Sequence, residues 1–95
     1  MSLLSLTREI AIDLGTANTI IITDGQIAVE EPSVVAIRKS DDKMKVVGRK
    51  AAAMIDRGEE RIYTVRPLKK GVIADYKACE MMIRCTRWPR GQEWR

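Results

Sequence analysis

One stretch near the amino terminus constrains the fold most strongly, because two apolar runs flank a short polar turn. The runs are Ile10–Leu14 and Thr19–Thr23, and residues 15–18 lie between them. Their length and β-branched content predict two strands joined by a tight turn. Since both runs are almost continuously apolar, we expect these strands to be covered on both faces of their sheet.

The turn between these strands has the chemistry of a ligand-binding loop. Asp13 stands among isoleucines and leucine, where an ionised carboxylate is costly unless it is paired or helps to hold a metal ion. Gly15 lets the backbone approach a ligand closely, and Thr16 and Asn18 add hydrogen-bonding side chains. The turn therefore predicts a loop that wraps the phosphate end of a nucleotide and steers its metal. The alternative is an ordinary hairpin in which Asp13 caps its own turn.

The remainder of the chain predicts an α/β fold, in which an antiparallel meander is followed by short helices. Asp24-Gly25 is a strong hairpin signal, and we expect Asp75 to cap the second helix. Gly58 suits the carboxyl end of the first helix. The predicted strands are Gln26–Glu30, Val34–Arg38, Met44–Val47, Ile62–Val65 and Gly71–Ala74, and the predicted helices are Arg49–Arg57 and Tyr76–Arg84.

Composition excludes several classes of function. The chain has 95 residues and a net charge of +4, but four arginines and one glutamate lie from Arg84 onward, so the body is nearly neutral. A nucleic-acid surface would spread its charge over a folded face, and no nucleic-acid partner is expected. Cys79 and Cys85 occur with no histidine, which excludes a mixed Cys/His zinc site. We interpret both cysteines as apolar fillers on or near a helix.

A series of motifs runs in order from about Arg8 to Arg84 and resembles the start of the actin-like ATPases. It is most similar to the MreB family, the bacterial actins that determine rod shape. Asp-x-Gly-Thr loops also occur in heat-shock chaperone ATPases and sugar kinases, whereas Asn18 after Ala17 favours the MreB family. The matching segments are Ile12–Thr19, Glu31–Ile37, Val47-Gly48 with Ala51, and Arg66–Tyr76.

The resemblance implies part of a two-domain, ribonuclease-H-like fold, with ATP and Mg²⁺ as cofactors of the complete protein. It implies that Asp13 orders metal-bound water beneath the phosphates. It also implies that Gly15, Thr16, Ala17 and Asn18 line the first phosphate loop, largely through backbone N–H groups. It assigns no catalytic residue to this chain, because the second phosphate loop, the adenosine pocket and the carboxylate that positions the attacking water are expected beyond this sequence. Whether the chain is an enzyme therefore stays open.

The resemblance also divides the chain into segments. Residues 8–32 and 69–84 are expected in the larger actin-like subdomain and residues 33–68 in the smaller one. Residues 1–7 form a leader, and residues 85–95 are expected to be a disordered basic tail. The family continues its last helix with apolar residues, whereas Cys85–Pro89 departs from that pattern. We therefore expect an amino-terminal fragment, truncated or altered by a frameshift.

Two classes of function follow. The first is an ATP-binding protein that self-associates into filaments in its complete form and organises the cell-wall synthesis machinery, with this chain alone too short to bind or hydrolyse ATP well. The second is a non-enzymatic fragment that associates with other proteins through uncovered sheet faces and edges between Ile10 and Ile37. A third hypothesis is that the chain is a relative of the chaperone ATPases or sugar kinases.

The expected location is the cytoplasm, with contact to the inner membrane surface left open. MreB-like proteins reach that surface through an apolar amino-terminal segment or an inserted loop. Here Met1, Leu3, Leu4 and Leu6 are apolar, but stable anchoring usually takes two signals. An unattached leader is therefore the favoured interpretation.

Overall fold

The computed structural model describes residues 10–43 and 45–86, which form three small sheets and two helices. The leader 1–7 and the part of the predicted tail from residue 87 onward lie outside the described residues. In chain order the elements are β1 (Ile10–Leu14), β2 (Asn18–Thr23), β3 (Gln26–Pro32), β4 (Val35–Arg38), β5 (Lys45–Val47), α1 (Gly48–Asp56), β6 (Ile62–Val65), β7 (Leu68–Lys69), β8 (Val72–Ile73) and α2 (Tyr76–Cys85).

The amino-terminal sheet is the predicted antiparallel meander, with strand order β1-β2-β3. Asp24 and Gly25 both have positive φ, 51° and 77°, as a type I′ hairpin turn requires. A β-bulge between Ile21 and Ile22 shifts the pairing with β3, so Ala28 is the extra residue on that strand. The predicted strands and hairpin in this region are confirmed.

The central sheet has strand order β5-β4-β6 and carries a helix on each face. Val34 and Ala36 pack with Ala51 of α1. On the opposite face, Val35 packs with Ala78 and Met82 of α2. Because successive side chains of a strand point to opposite faces, β4 is buried on both sides. The main apolar core of the chain therefore lies in these two layers.

The side chain of Glu31, in β3, caps the amino terminus of α1 and so connects the amino-terminal sheet to the central part of the chain. Val47 precedes α1 without offering a side-chain cap, and the Glu31 Oε1 accepts a hydrogen bond of 2.7 Å from the Arg49 N–H instead. Gly48 makes room for this carboxylate, because a Cβ there would lie 2.3 Å from the Glu31 Oε1. A carboxylate at a helix amino terminus also interacts favourably with the helix dipole.

A buried pair of hydroxyl groups makes a second connection between these sheets. The Thr19 Oγ1 and Ser33 Oγ lie 2.8 Å apart, and both residues are almost fully buried. Each hydroxyl satisfies the other, so neither is left as a costly unpaired polar group.

The carboxyl end of α1 and the amino end of α2 are capped as the sequence predicts. At the carboxyl end of α1, Gly58 has φ +68°; its N–H donates to the Ile55 carbonyl, and the Glu59 N–H donates to the Met54 carbonyl. These two bonds define a Schellman motif. At the start of α2, the Asp75 Oδ1 accepts a hydrogen bond of 2.9 Å from the Ala78 N–H, so the predicted N-cap is confirmed.

Four features differ from the sequence predictions or extend them. The amino-terminal sheet is not covered on both faces within the described residues: Ile27 is 62% exposed, because no other described element lies over that face. Leu68–Lys69 pairs with Val72–Ile73 as a hairpin, whereas only the second strand was predicted.

Helix α2 continues through Cys85, where the disordered tail was expected to begin. It packs on β4 and β5, and the division into subdomains stays a prediction.

The two cysteines have different surroundings. Cys79 is buried in α2, and this burial, with a smaller contribution from Asp75, raises the pKa of its thiol. It is the apolar filler that the sequence predicts, whereas Cys85 is exposed. Among the described residues, neither helix has the length and apolar content needed to cross a membrane.

Candidate phosphate-binding loop

The polar turn between β1 and β2 is closed by its own backbone. The Gly15 N–H donates a hydrogen bond of 3.0 Å to the Asn18 carbonyl. A Cβ on Gly15 would lie 2.7 Å from that same carbonyl oxygen, a contact that a backbone atom cannot relieve cheaply. The loop therefore needs glycine at this position for a steric reason that operates even without a ligand.

The tip of the loop presents backbone donors to solvent. Within the described part of the chain, the N–H groups of Thr16 and Ala17 donate no hydrogen bond, and Ala17 and Asn18 are exposed. Behind them, the Ala17 carbonyl accepts a hydrogen bond of 2.9 Å from the Ser33 N–H. The loop is thus held from one side while two adjacent amides stay available on the other, which is the arrangement of a backbone anion site.

Thr16 uses its side chain to join the loop to the β7–β8 hairpin. The Thr16 Oγ1 accepts a hydrogen bond of 2.8 Å from the Gly71 N–H. Lys70 and Gly71 form the hairpin turn, with φ of 52° and 77°. Sequence reasoning missed this contact, because it joins residues 55 positions apart and nothing in the local sequence around Gly71 indicated its partner.

Asp13 does not occupy the buried position that the sequence predicted. The strand pairing places Asp13 opposite Ile20 and Ala11 opposite Ile22, on the sheet face that no described element covers. Its side chain is exposed, and its carboxylate makes no hydrogen bond or ion pair with the described residues. The expectation of an acid enclosed by apolar groups was therefore wrong for this chain, although the carboxylate does lie beside the loop.

At the loop, the described residues provide a single carboxylate, that of Asp13, and no cluster of metal ligands. Among them, no three His, Cys, Asp or Glu side chains converge in a way that could hold an ion. This donor set fits Mg²⁺ only if phosphate oxygens and water supply the other ligands, which is a usual way for proteins to bind Mg²⁺. Asp13 would then be the protein group that holds the metal through water.

A cleft of about 760 Å³ lies elsewhere in the chain, and none of the five predicted site residues lines it. Its walls come from β3, β5 and α1, together with Cys85 and Thr86 at the end of α2. No sequence motif pointed to this cleft, because it forms where the edges of two sheets face each other.

Known proteins with similar sequences are bacterial cell-shape proteins. A family model described as MreB/Mbl protein matches residues 7–88. The cell shape-determining protein Mbl of Bacillus subtilis is 47% identical over 78 residues, covering 81% of this chain and 23% of the relative. The cell shape-determining protein MreB of Escherichia coli is 45% identical over 82 residues, covering 81% of this chain and 24% of the relative. The chain thus spans about a quarter of the length of these relatives.

Solved structures agree with these sequence matches. MreB5 of Spiroplasma citri bound to ADP superposes with a TM-score of 0.70 at 32% identity, over 83% of this chain and 24% of that protein. The same protein bound to AMPPNP gives a TM-score of 0.67 at 33% identity, over 82% of this chain and 24% of that protein. The chain therefore belongs to the MreB/Mbl family, and its fold is part of an actin-like domain.

Proposed function

We propose that this chain is the amino-terminal part of an ATP-binding bacterial actin that forms filaments and determines rod cell shape. The observation that carries the proposal is the loop between β1 and β2, which presents two amides that have no partner among the described residues, beside an exposed carboxylate. Membership in the MreB/Mbl family supports it, as do the MreB5 structures that contain ADP or AMPPNP. Because of that membership, a chaperone-like or sugar-kinase-like function is not proposed.

Each residue of the loop has a defined role in this proposal. The N–H groups of Thr16 and Ala17 donate to phosphate oxygens, while Gly15 permits the close approach and Asn18 completes the loop. Asp13 would accept hydrogen bonds from water bound to Mg²⁺ and so would help to hold the ion at the phosphates. Bound Mg²⁺ would neutralise charge on the phosphate oxygens.

The chain by itself should bind ATP weakly. The loop provides contacts to the phosphates alone, and the family places the adenosine pocket and the second phosphate loop in regions outside this sequence. Calorimetric titration of the chain with Mg-ATP should therefore give no saturable heat at micromolar nucleotide. Tight binding would contradict the view that one loop cannot hold the ligand.

The loop's role is tested most directly in a chimera. Residues 8–84 of this chain would replace the matching segment of full-length Mbl from Bacillus subtilis. We expect the chimera to bind Mg-ATP and to form sedimentable filaments, and Asp13→Asn to weaken Mg-ATP binding at least about tenfold, or about 1.4 kcal/mol. Asp24→Asn is the matched control, because Asn tolerates the positive φ at this turn. Equal Mg-ATP affinity in the two variants would refute the metal role of Asp13.

The proposed filament lies in the cytoplasm and associates with the cell-wall synthesis machinery, and contact with the inner membrane surface stays open. These partners follow from the resemblance to MreB-type actins. A second candidate function is association of this fragment with other proteins, and it is favoured by one observation: the exposed Ile27 on the outer face of the amino-terminal sheet.

A further inference from the structure

The strand β6 forms one edge of the central sheet, and its outer side pairs with no described strand. Its sequence is Ile62-Tyr63-Thr64-Val65, and all four residues are of the β-branched or aromatic types that are enriched in strands. The backbone groups along such an edge can pair with another strand. β6 is therefore a candidate site for the addition of a strand.

The pairing with β4 fixes which backbone groups of β6 point outward. The Lys39 N–H donates a hydrogen bond of 2.8 Å to the Arg61 carbonyl, and the register with β4 continues without a shift. Because residues of an antiparallel strand alternate in direction, every second residue from Arg61 onward bonds to β4. The residues between them, Ile62 and Thr64, direct their N–H and C=O groups away from the sheet. Neither backbone has a hydrogen-bond partner among the described residues.

The other edge strands of the two larger sheets carry features that oppose pairing with another chain. Proteins protect sheet edges with charged side chains, proline or bulges. β3 has a bulge and ends at Pro32, β5 begins at Lys45, and β1 contains Asp13. β6 has a regular register and neither a charged residue nor a proline. Within the described part of the chain, it is thus the edge with the fewest obstacles to pairing.

The sequence around β6 selects a second copy of the chain as the partner. When two copies pair antiparallel through their outward residues, Ile62 lies opposite Thr64 of the second copy, and Tyr63 lies opposite Tyr63 at the two-fold axis. The same register, continued past the strand ends, brings Glu60 beside Arg66 of the second copy. Symmetry makes this pair occur twice, and opposite charges across an antiparallel pair stabilise it.

Neighbouring registers lose these charge pairs. The outward residues also pair when the two-fold axis lies at Ile62 or at Thr64. In the first case Glu60 lies opposite Thr64, and in the second Arg66 lies opposite Ile62. Only the register centred on Tyr63 therefore brings the two opposite charges together.

The side chains that this register needs are available at the surface. Tyr63 is 39% exposed, and its hydroxyl donates to the Asp42 Oδ1 at 3.1 Å. Its polar end is thus satisfied, and its ring can contact another aromatic ring. Glu60 and Arg66 are exposed, and neither makes an ion pair within the described residues.

We propose that the chain forms a symmetric dimer in which β6 pairs antiparallel with β6 of a second copy, in the register centred on Tyr63. Each of the two pairs of Ile62 with Thr64 exchanges both of its backbone hydrogen bonds. The contact is isologous and closes after two copies, whereas a filament contact continues from copy to copy. It needs neither nucleotide nor the phosphate loop, so it stands or falls separately from the proposed ATP function. Because the interface is small, the dimer is weak and depends on concentration.

Sedimentation velocity of the full chain tests the proposal in an Ile27→Lys background, which prevents association through the outer face of the amino-terminal sheet. We expect a monomer–dimer equilibrium without larger species. Thr64→Pro removes an outward N–H and should leave the chain monomeric, since proline is tolerated on an edge strand where the N–H faces solvent. Thr64→Val is the matched control, because it keeps the N–H and should dimerise as before. Far-ultraviolet circular dichroism should be the same for both variants.

Charge reversal tests the register, and it also decides the question if Thr64→Pro alters the circular dichroism. Glu60→Arg and Arg66→Glu each place like charges opposite each other, and each should weaken dimerisation several-fold. The variant that carries both substitutions restores opposite charges and should recover the dimer. In the parent chain, amide exchange at Ile62 and Thr64 should slow as the concentration rises.

Three results would overturn the proposal. The first is an Ile27→Lys chain that stays monomeric at every concentration. The second is unchanged dimerisation in a folded Thr64→Pro variant, which would place the contact on another surface. The third is a doubly reversed chain that dimerises no better than the single variants, which would exclude the pairing of Glu60 with Arg66.

Discussion

Glu31 shows how one side chain can join two parts of a small chain. Its carboxylate accepts the Arg49 N–H at 2.7 Å, and Gly48 has no Cβ to obstruct it. Two separate motifs of the sequence, the one around Glu31 and the pair Val47-Gly48, are therefore explained by a single contact. Both motifs were recognised by resemblance alone, because a cap supplied from a distant strand leaves no local pattern at the helix.

Glu31→Ala should lower the free energy of unfolding by about 1 kcal/mol, as the loss of a helix cap commonly does. Glu30→Ala is a matched control, since the neighbouring carboxylate makes no hydrogen bond within the described residues and only the Glu30 backbone carbonyl accepts from Arg49. Urea denaturation of both variants measures the difference. If both lost the same stability, the cap would not be the stabilising contact.

At the scale of elements, two hairpins with the same turn geometry differed in how readily the sequence revealed them. Asp24-Gly25 and Lys70-Gly71 each have two consecutive residues with positive φ. The first turn lies between long apolar strands and was predicted. The second joins strands of two residues each, which are too short for a periodic pattern to be seen. Its position depends on a partner, the hydroxyl of Thr16.

Thr16→Val should therefore loosen the β7–β8 turn. Loss of the hydrogen bond from the Gly71 N–H should increase amide exchange at Gly71 several-fold, in keeping with a net contribution of about 1 kcal/mol. Thr16→Ser retains the hydroxyl and should keep exchange close to that of the wild type. Hydrogen exchange followed by NMR measures both variants, and unchanged protection in Thr16→Val would show that the hairpin is held by other contacts.

At the scale of the whole molecule, the two larger sheets are covered to different degrees. The central sheet has a helix on each face, whereas the outer face of the amino-terminal sheet leaves Ile27 62% exposed. The apolar runs correctly predicted the strands β1 and β2. They could not show that Asp13 is exposed, because the burial of a side chain depends on the elements packed against a strand as well as on the strand itself.

This outer face should make the chain self-associate as its concentration rises. Ile27→Lys should reduce that association without loss of stability, since the side chain is already exposed and a charge opposes apolar contact. Val72→Lys, at a residue 68% exposed on β8, is the control and should leave association unchanged. Sedimentation velocity over a range of concentrations measures both, and a monomeric wild-type chain throughout would disprove the expectation.

The position of β4 between two helices has a consequence for how this part of the chain comes apart. Val35 and Ala36 are neighbours in sequence, yet they serve opposite cores. A shift of pairing by one residue would exchange their directions, and it would disrupt the packing of α1 and α2 in the same step. The two helices are therefore coupled through a single strand, and we expect them to lose protection together as one cooperative unit.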